Sequence, residues 1–442
     1  MAGSSQLTIP EASQAALKLL RAGKLAQATQ LYRRILQASP DHVDALHYLG
    51  LALFQSGQHD EAIALVTRAV NLAPDYVDAH NNLGNMLVER GRQPEAEAIY
   101  RQILSLHPRR ADARVNLGAL LARRDERAGA EAEFRRAIVD SPDLAEAYVN
   151  LGMLLKKGRR LAEALTMFQR ALALRPQEGA GYRRVGGVLQ SLGRIDDAAA
   201  IYAKWSAAEP NNPAAKHLLA SCTGQDVPAR ATDEFVQDTF DAFADSFDQV
   251  LDKLHYRAPA LILDAVTATL GDAAATLDIL DAGAGTGWCG PLLKPFARRL
   301  VGVDLSSKML AKATARAVYD ALHVAELVAY LRGQVAAFDL VVSADTLVYF
   351  GELSDALAAA AAALRPGGHL IFTVERADDE PGSGYRLNPH GRYSHSEAYV
   401  RRALADAALT PVALTRVHLR LQARVPVEGL LVVAQAGSKT TA

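Results

Sequence analysis

The sequence has few cysteines, no surplus of charge and no long apolar run. Two cysteines in 442 residues give neither a disulfide framework nor a metal-ligand spacing, and they fit a reducing compartment. With 48 basic and 49 acidic residues, the chain lacks the positive surplus typical of nucleic-acid-binding proteins. No stretch of about 20 apolar residues predicts a membrane span, and the first residues do not resemble a signal peptide. We therefore expect a cytoplasmic protein without a metal site and without a nucleic-acid or membrane partner.

An internal repeat of 34 residues runs through the first half of the chain. The repeated prolines are Pro40, Pro74, Pro108, Pro142, Pro176 and Pro210, and the repeated glycines are Gly50, Gly84, Gly118, Gly152 and Gly186. The small residues let two helices pack closely, and each proline ends the second helix of a unit. The pattern resembles the tetratricopeptide repeat (TPR). That resemblance implies an all-helical solenoid over 9–222, with about six repeats and a capping helix.

Three asparagines occupy equivalent positions in this repeat. Asn82, Asn116 and Asn150 each stand two residues before a repeat glycine. The resemblance to TPR proteins places this position on the concave side, where a row of amides can pair with the backbone of an extended peptide. The alternative is that asparagine is simply common at this position, and Tyr48 and Arg184 interrupt the row at its two ends. The row predicts a protein or peptide partner in the groove.

Strands and helices alternate after a linker at 223–233, which predicts a mostly parallel sheet covered by helices over 234–437. Two β-rich runs, at 411–422 and 425–435, close this region, and the segment between them is too short for a helical crossover. We therefore expect an α/β, Rossmann-like domain whose seven-stranded sheet ends in an antiparallel hairpin. Flexible segments are expected at 1–8 and as a tail at 438–442.

The stretch DAGAGTGWCG, which begins at Asp281, matches two cofactor fingerprints. Gly285 to Gly290 form the G-x-G-x-x-G pattern of dinucleotide-binding loops. Asp281, Gly283, Gly285 and Gly287 form D-x-G-x-G-x-G, which resembles the S-adenosylmethionine loop of class I methyltransferases. A dinucleotide loop binds an anionic pyrophosphate, which a carboxylate beside the loop disfavours. S-adenosylmethionine instead carries positive charges, so Asp281 favours this cofactor.

Further segments resemble the same family. VGVDLSSKMLAKA resembles its second strand and the following helix, and it ends that strand on Asp304, where a carboxylate can accept the ribose hydroxyls. LRPGGHLIFTVE resembles the entry to the fifth strand. The segments at 238–259 and 391–404 resemble bacterial TPR-containing predicted methyltransferases. The resemblance implies cofactor contacts from Asp281, Gly283, Ala284, Gly285, Gly287, Asp304, Leu305, Glu326, Leu327 and Asp345.

Several of these assignments have a structural alternative. Glu326 is expected to bind the adenine amino group, or else it is a solvated surface acid. Asp345 faces the transferable methyl group, or else it caps the next helix. The candidates for a general base on the acceptor side are Asp345, Glu375, Tyr393 and His395, although the segment around His395 also reads as a helix start with a surface histidine.

The expected function is transfer of a methyl group from S-adenosylmethionine to a protein or peptide that the repeat array binds or presents. One alternative is a small-molecule methyltransferase whose repeats dock a partner or form a homo-oligomer. Another is a TPR scaffold with an inactive methyltransferase domain. The intact Asp281, glycine loop and Asp304 argue against the inactive scaffold.

Overall fold

The computed structural model describes residues 7–437 except 246, 272–273, 379–383 and 423–424. The expected tail at 438–442 and most of the expected flexible N-terminus lie outside the described residues. The chain divides into two compact units, residues 1–192 and 193–442. The second unit therefore includes two helices that the sequence assigned to the repeat array, and the predicted boundary at 222 stays a prediction.

The described residues of the first unit form five consecutive helix pairs and one further helix. They are α1 (Ile9–Arg21), α2 (Leu25–Ala38), α3 (Val43–Gln55), α4 (His59–Leu72), α5 (Val77–Glu89), α6 (Gln93–Leu106), α7 (Ala111–Arg123), α8 (Arg127–Asp140), α9 (Ala145–Lys157), α10 (Leu161–Leu174) and α11 (Gly179–Ser191). The first helix of each pair has 13 residues and the second has 14. This regularity confirms the helical solenoid expected from the sequence period.

The repeated residues have the packing roles that their types predict. Each second helix ends two residues before a repeat proline, as α2 ends at Ala38 before Pro40, since the residue before proline avoids the helical conformation. A Cβ added to Gly118 would lie 2.7 Å from the ring of Phe134, which belongs to the same helix pair. Gly84 and Gly152 likewise make room for an aromatic ring of their own repeat, whereas Gly50 makes room for Val66.

The second unit contains helices and one large sheet. Its helices are α12 (Ile195–Ala208), α13 (Pro213–Thr223), α14 (Asp233–Phe243), α15 (Phe247–Lys253), α16 (Ala258–Leu270), α17 (Gly290–Leu293), α18 (Ser307–Ala315), α19 (Leu327–Arg332), α20 (Ser354–Ala363) and α21 (Glu397–Asp406). Its strands are β1 (Leu277–Ala282), β2 (Ala297–Asp304), β3 (Ala321–Val324), β4 (Phe338–Ser343), β5 (Leu364–Arg376), β6 (Tyr385–Leu387), β7 (Tyr393–His395), β8 (Leu409–Gln422) and β9 (Val425–Ala436). No helix in the described residues is long and apolar enough to cross a membrane.

The sheet has a parallel centre and an antiparallel end. Strands β3, β2, β1, β4 and β5 are parallel neighbours in this order. Strand β9 pairs with β5 and β8, both times antiparallel, which confirms the α/β fold class and its terminal hairpin. The sequence predicts seven strands, and the structure has two further short ones, β6 and β7. Strand β7 pairs with only the last two residues of β5.

The core of this unit lies between the sheet and its helices. Buried residues of α16, β1, β2, β4 and β5 form one apolar cluster, with Ile262, Ile279, Leu300, Leu340 and Ile371 among its members. Strand order changes direction between β1 and β4, since β2 follows β1 on one side and β4 lies on the other. The carboxyl ends of strands meet at such a point, where open α/β sheets bind ligands.

Candidate functional site

The glycine loop follows β1 at the point where the strand order reverses. Gly283, Gly285 and Gly287 have φ of 84°, 54° and 81°, a conformation that L side chains rarely adopt. A Cβ added to Gly283 would collide with Thr346, and one added to Gly287 would lie 3.0 Å from the ring of Tyr319. A Cβ at Gly285 would meet nothing within 4 Å. Two of these glycines are therefore required by packing, whereas Gly285 borders open space.

Asp304 fixes this loop from the carboxyl end of β2. Its Oδ2 accepts the Gly285 N–H at 2.9 Å, and its Oδ1 accepts the Ser306 N–H at 2.9 Å. Burial raises the pKa of Asp304, while these backbone donors act in the opposite direction. The backbone N–H of Leu305 also acts on this carboxylate, which leaves part of its acceptor capacity for a ligand. Asp304 can thus shape the loop and bind a ligand hydroxyl at the same time.

Asp281 lies at the same edge of the sheet and is only 1% exposed. The Tyr319 hydroxyl donates a hydrogen bond to its Oδ2 at 2.6 Å. Burial raises the pKa of Asp281 to about 7; the Tyr319 hydrogen bond opposes this rise and the nearby Asp304 charge adds to it. A cationic ligand beside this carboxyl would favour its ionised form.

A cavity opens over the loop and over the ends of β1, β2, β3 and β4. The sequence-predicted residues that line it are Asp281, Gly283, Ala284, Gly285, Asp304, Leu305, Glu326, Leu327 and Asp345. Gly287 lies behind the loop against Tyr319 and Ala313. Three carboxylates, from Asp281, Asp304 and Asp345, thus line one cavity beside the glycine loop.

Glu326 is engaged by other protein groups. Its Oε2 accepts the Ala329 N–H at 2.7 Å, which caps α19, and its Oε1 lies 3.3 Å from Arg230 Nη1. The side chain is 17% exposed. Glu326 is therefore more enclosed than the solvated surface acid considered above. A ligand amino group would bind the same carboxylate as Arg230.

Asp345 forms an ion pair in place of a helix cap. Arg420 Nη1 lies 2.8 Å and 3.2 Å from its two carboxylate oxygens. Its own N–H donates to Thr373 Oγ1 at 2.9 Å, and its φ is 59°. The short helix Leu347–Tyr349 that follows has no side-chain cap. The pair with Arg420 therefore replaces the capping role considered as the alternative.

Glu375 belongs to the same group of buried charges. Arg420 contacts Glu375 through its second terminal nitrogen, and Arg392 Nη1 lies 3.6 Å from the carboxylate. Burial alone would raise the pKa of Glu375. The neighbouring cations, of which Arg420 has the largest effect, hold this pKa below its usual value. The carboxyl is 4% exposed and is not among the described residues that line the cavity.

His395 and Tyr393 are fully buried on β7. His395 Nε2 lies 2.8 Å from the Phe350 carbonyl and 3.1 Å from the Gly351 carbonyl, so this nitrogen carries the proton and donates it. Burial lowers the pKa of His395 to about 4. The Tyr393 hydroxyl donates to the Pro228 carbonyl at 2.7 Å. Both side chains fix neighbouring loops, and neither is among the described residues lining the cavity, so this geometry does not support their expected role as bases.

Sequence reasoning missed the residues that hold helix α15 over the loop. Asp248 accepts hydrogen bonds from Thr286 Oγ1 at 2.6 Å, from Trp288 Nε1 at 2.8 Å and from Arg316 Nη2 at 2.9 Å. Phe247, the preceding residue, lines the cavity. Sequence reasoning also missed Arg392 and Arg420; for Arg420, the available signal was a charged residue inside a β-rich run.

The three asparagines of the first unit are half-buried. The Asn82 amide lies 2.9 Å from His47 Nε2, and the Asn116 amide donates to Asn81 Oδ1 at 3.4 Å. Burial lowers the pKa of His47 to about 4, which keeps its ring neutral. Two members of the row are therefore already engaged by side chains of the preceding repeats, and a peptide would have to compete with these contacts.

Comparisons with known proteins agree with both halves of the structure. A family model described as a methyltransferase domain matches residues 280–372. Two models of the tetratricopeptide repeat match 19–83 and 154–222, and 64–108 and 81–145. A curated relative, a malonyl-[acyl-carrier protein] O-methyltransferase of Enterobacter lignolyticus (strain SCF1), is 31% identical over 132 residues. That alignment covers 30% of this chain and 52% of the relative, so the chain spans about half the length of the curated relative.

Several solved structures also resemble part of the chain. PilW, a widely conserved type IV pilus biogenesis factor, is 20% identical with a TM-score of 0.43, and the match covers 49% of this chain and all of that one. A thermophilic TPR protein of Thermus thermophilus is 24% identical with a TM-score of 0.36, over 41% of this chain and all of that one.

Sequence, structure and comparisons agree on the order of the two regions. The repeat period and the helix pairs belong to the first, and the glycine loop with its carboxylates belongs to the second. In this chain, residues that match tetratricopeptide-repeat models precede a region, residues 280–372, that matches a methyltransferase-domain model.

Proposed function

We propose that this protein transfers a methyl group from S-adenosylmethionine to a protein or peptide that the TPR array binds or presents. The observation that carries the proposal is the set of carboxylates, from Asp281, Asp304 and Asp345, that lines the cavity around the glycine loop. A proposed place of action in the cytoplasm accords with the two free cysteines, Cys222 and Cys289.

The residues present fit S-adenosylmethionine better than a dinucleotide. The loop from Gly283 to Gly287 contains no basic residue that could neutralise a pyrophosphate, and Asp281 beside it would repel one. Gly285 borders the open space of the cavity, so its missing Cβ leaves room for a ligand to approach the backbone. The cofactor carries a sulfonium and an ammonium group, and buried carboxylates are the natural partners of such charges.

Five of the lining residues have a proposed role in holding this cofactor. Asp304 would accept the ribose hydroxyls while it continues to fix the loop through Gly285. Glu326 and the N–H of Leu327 would contact the adenine. The side chain of Leu305 and the backbone of Ala284 would pack along the cofactor.

When bound, the cofactor supplies a methyl group that is already activated by the sulfonium. The contribution of the protein is then mainly alignment and exclusion of water, which can supply roughly 7–11 kcal/mol in well-oriented systems. Helix α15 covers the loop through Asp248, and Phe247 and Leu251 line the same cavity. These apolar side chains would keep water from the reacting atoms.

A protein-borne acceptor fits the domain composition. TPR arrays provide surfaces for protein–protein interaction, and the name of the curated relative states that it acts on a malonyl group attached to the acyl-carrier protein. A small-molecule acceptor, with the repeats docking a partner or a second copy of the chain, is the competing outcome.

The pH dependence of cofactor binding tests the role of Asp281. Its pKa is raised to about 7, so the carboxyl is mostly protonated at pH 5.5 and about half ionised at pH 7. Since a cation binds the ionised form better, S-adenosylmethionine affinity should increase about tenfold between pH 5.5 and 7, as measured by titration calorimetry. In Asp281→Asn the increase should shrink, and the remainder would belong to Asp304. An affinity that is flat with pH in both proteins would contradict the role.

Transfer itself is tested with methyl-labelled S-adenosylmethionine and a cell extract. The full chain should label one or a few proteins, Asp304→Ala should label none, and the chain shortened to residues 193–442 should lose most of the protein label. If the full chain does not bind S-adenosylmethionine, the proposal that the protein is an enzyme is overturned. Label confined to small molecules and unchanged by the shortening would instead support the competing outcome.

A further inference from the structure

One hydroxyl group in the cavity wall has no hydrogen-bond partner among the described residues. Four of the described lining residues carry a hydroxyl, and three of these hydroxyls already have a partner within the protein, those of Thr286, Thr346 and Tyr349. The fourth, the hydroxyl of Tyr256, forms no hydrogen bond with a described residue. A hydroxyl removed from water without a partner costs free energy, so a ligand that hydrogen-bonds Tyr256 gains affinity.

The backbone around Tyr256 is fixed against strand β8. Two backbone hydrogen bonds, of 2.7 Å and 2.9 Å, join the segment 254–257 to residues 419–421. Arg420 is the middle residue of that part of β8, and its guanidinium pairs with Asp345 at 2.8 Å. Both charges of this ion pair act on the Tyr256 hydroxyl. The segment therefore holds Tyr256 beside the carboxylate that follows β4.

The ring of Tyr256 also contacts the end of the glycine loop. Trp288 follows Gly287, the last glycine of the loop motif, and its ring lies edge-on to that of Tyr256, with 6.4 Å between the ring centroids. Both residues line the cavity. Tyr256 thus forms the part of the cavity wall between the glycine loop and the pair of Asp345 and Arg420.

The strand order indicates which half of S-adenosylmethionine this wall would face. Asp304 and Glu326, the proposed contacts of the ribose and the adenine, follow β2 and β3 on one side of β1. Asp345 follows β4 on the other side of β1. A cofactor whose adenosine half lies over β2 and β3 would extend its amino-acid half toward β4. Tyr256, which is held beside Asp345, would therefore face the amino-acid half.

The carboxylate of this half needs a hydrogen-bond donor. Its neighbouring ammonium group can pair with a buried carboxylate, as proposed above, but the two arginines of the same wall, Arg392 and Arg420, already have protein carboxylates as partners. Burial raises the pKa of Tyr256 well above its usual range, and the charge of Asp345 adds to this rise. The hydroxyl therefore keeps its proton at neutral pH and can donate it in a hydrogen bond.

We propose that Tyr256 binds the amino-acid half of S-adenosylmethionine, its hydroxyl donating a hydrogen bond to the carboxylate. This inference rests on the function proposed above and adds a residue to its cofactor site. The matching methyltransferase model begins at residue 280 and does not include Tyr256. Because the carboxylate is not one of the reacting atoms, Tyr256 is a binding residue and takes no part in the methyl transfer itself.

The test compares two probes that differ only in this carboxylate. S-adenosylmethionine carries it, whereas decarboxylated S-adenosylmethionine keeps the adenosine, the sulfonium and the ammonium group without it. In calorimetry on the full chain, Tyr256→Phe should weaken binding of S-adenosylmethionine about tenfold or more, because a hydrogen bond to a charged group is lost. It should change binding of the decarboxylated probe by less than about twofold, since a general disturbance of the site would weaken both probes alike.

Tyr330→Phe is the matched control. Tyr330 is a half-buried tyrosine on α19 and is not among the described cavity-lining residues, so its variant should bind both probes as the unaltered chain does. Equal weakening of both probes by Tyr256→Phe, or no weakening of either, would overturn the inference. A variant Tyr256→Phe that binds S-adenosylmethionine normally but labels protein more slowly would place Tyr256 at the acceptor instead, which also overturns it.

The unaltered chain separates this inference from the function on which it rests. If it binds neither S-adenosylmethionine nor S-adenosylhomocysteine, the proposed function fails and the inference fails with it. If it binds both, and Tyr256→Phe does not distinguish the two probes, only the assignment of Tyr256 is wrong.

Discussion

Asp304→Ala is expected to weaken S-adenosylmethionine binding by at least about 100-fold. The carboxylate now accepts the N–H groups of Gly285 and Ser306, and we propose that it also accepts the ribose hydroxyls. Hydrogen bonds to a charged group are worth about 1.5–3 kcal/mol each, so the loss of two ligand bonds alone accounts for a factor of this size. The loop would also lose the contact that fixes Gly285. Titration calorimetry of the purified full chain measures the change.

Asp320→Ala is the matched control for this variant. Asp320 also accepts a backbone N–H, from Leu300 at 2.7 Å, and pairs with Lys294 at 3.0 Å, but it is not among the described cavity-lining residues. It should therefore lower stability without changing cofactor affinity. If Asp304→Ala binds S-adenosylmethionine as tightly as the unaltered chain, the proposed contact between Asp304, the last residue of β2, and the ribose hydroxyls is wrong.

Removal of helix α13 is expected to destabilise the methyltransferase domain. His217 Nε2 lies 2.8 Å from the Gly391 carbonyl, and the Ser221 hydroxyl donates to the Pro389 carbonyl at 3.1 Å. Ala220 packs with Leu387 and Tyr393 in one apolar cluster. Each lost hydrogen bond costs about 1 kcal/mol, and each large apolar side chain that becomes exposed costs about 1.5–3 kcal/mol. A chain of residues 224–442 should therefore be less stable than one of residues 212–442, which keeps α13 and its N-cap Asn212, by about 3 kcal/mol or more.

Denaturant unfolding of the two shortened chains measures this difference. The longer one keeps α13 and its contacts with the loop 388–392, and it should unfold at clearly higher denaturant concentration. His217→Ala in the longer chain should account for part of the loss, because it removes the bond to Gly391 and the ring contact with Phe235. Equal stability of the two shortened chains would show that α13 contributes nothing to this domain.

The parts of the fold that depend on local sequence could be predicted. The 34-residue period marks the helix pairs, because close packing and proline act within each repeat. The glycine loop and Asp304 could be found from the motif, because positive φ and a strand-end acid are local requirements. The helix start at Ser396 also follows from local sequence, since its hydroxyl caps α21 by accepting the Tyr399 N–H at 3.2 Å.

The surroundings of the acceptor-side residues could not be predicted, because they depend on pairing between distant segments. His395 precedes a helix start, as expected, but β7 pairs with β5 and buries it completely. Asp345 and Arg420 are 75 residues apart, and the hairpin of β8 and β9 brings them together. The sequence contained both charges but no sign that they neutralise each other. The contacts of α13 with the loop 388–392 are of the same kind, since no repeat pattern encodes them.

Tyr319 links the glycines of the site into one interdependent set. Its hydroxyl binds Asp281, and its ring would lie 2.7 Å from a Cβ at Gly290 and 3.2 Å from one at Gly302. Gly290, the last glycine of the dinucleotide-like pattern, is thus explained by a neighbouring ring and requires no phosphate. At Gly302 the side chain of Leu322 would lie closer still, 2.6 Å from an added Cβ. Positions 290 and 319 should therefore covary during evolution: a bulkier residue at 290 is tolerated only alongside a smaller one at 319, which would in turn leave the buried Asp281 carboxyl without its donor.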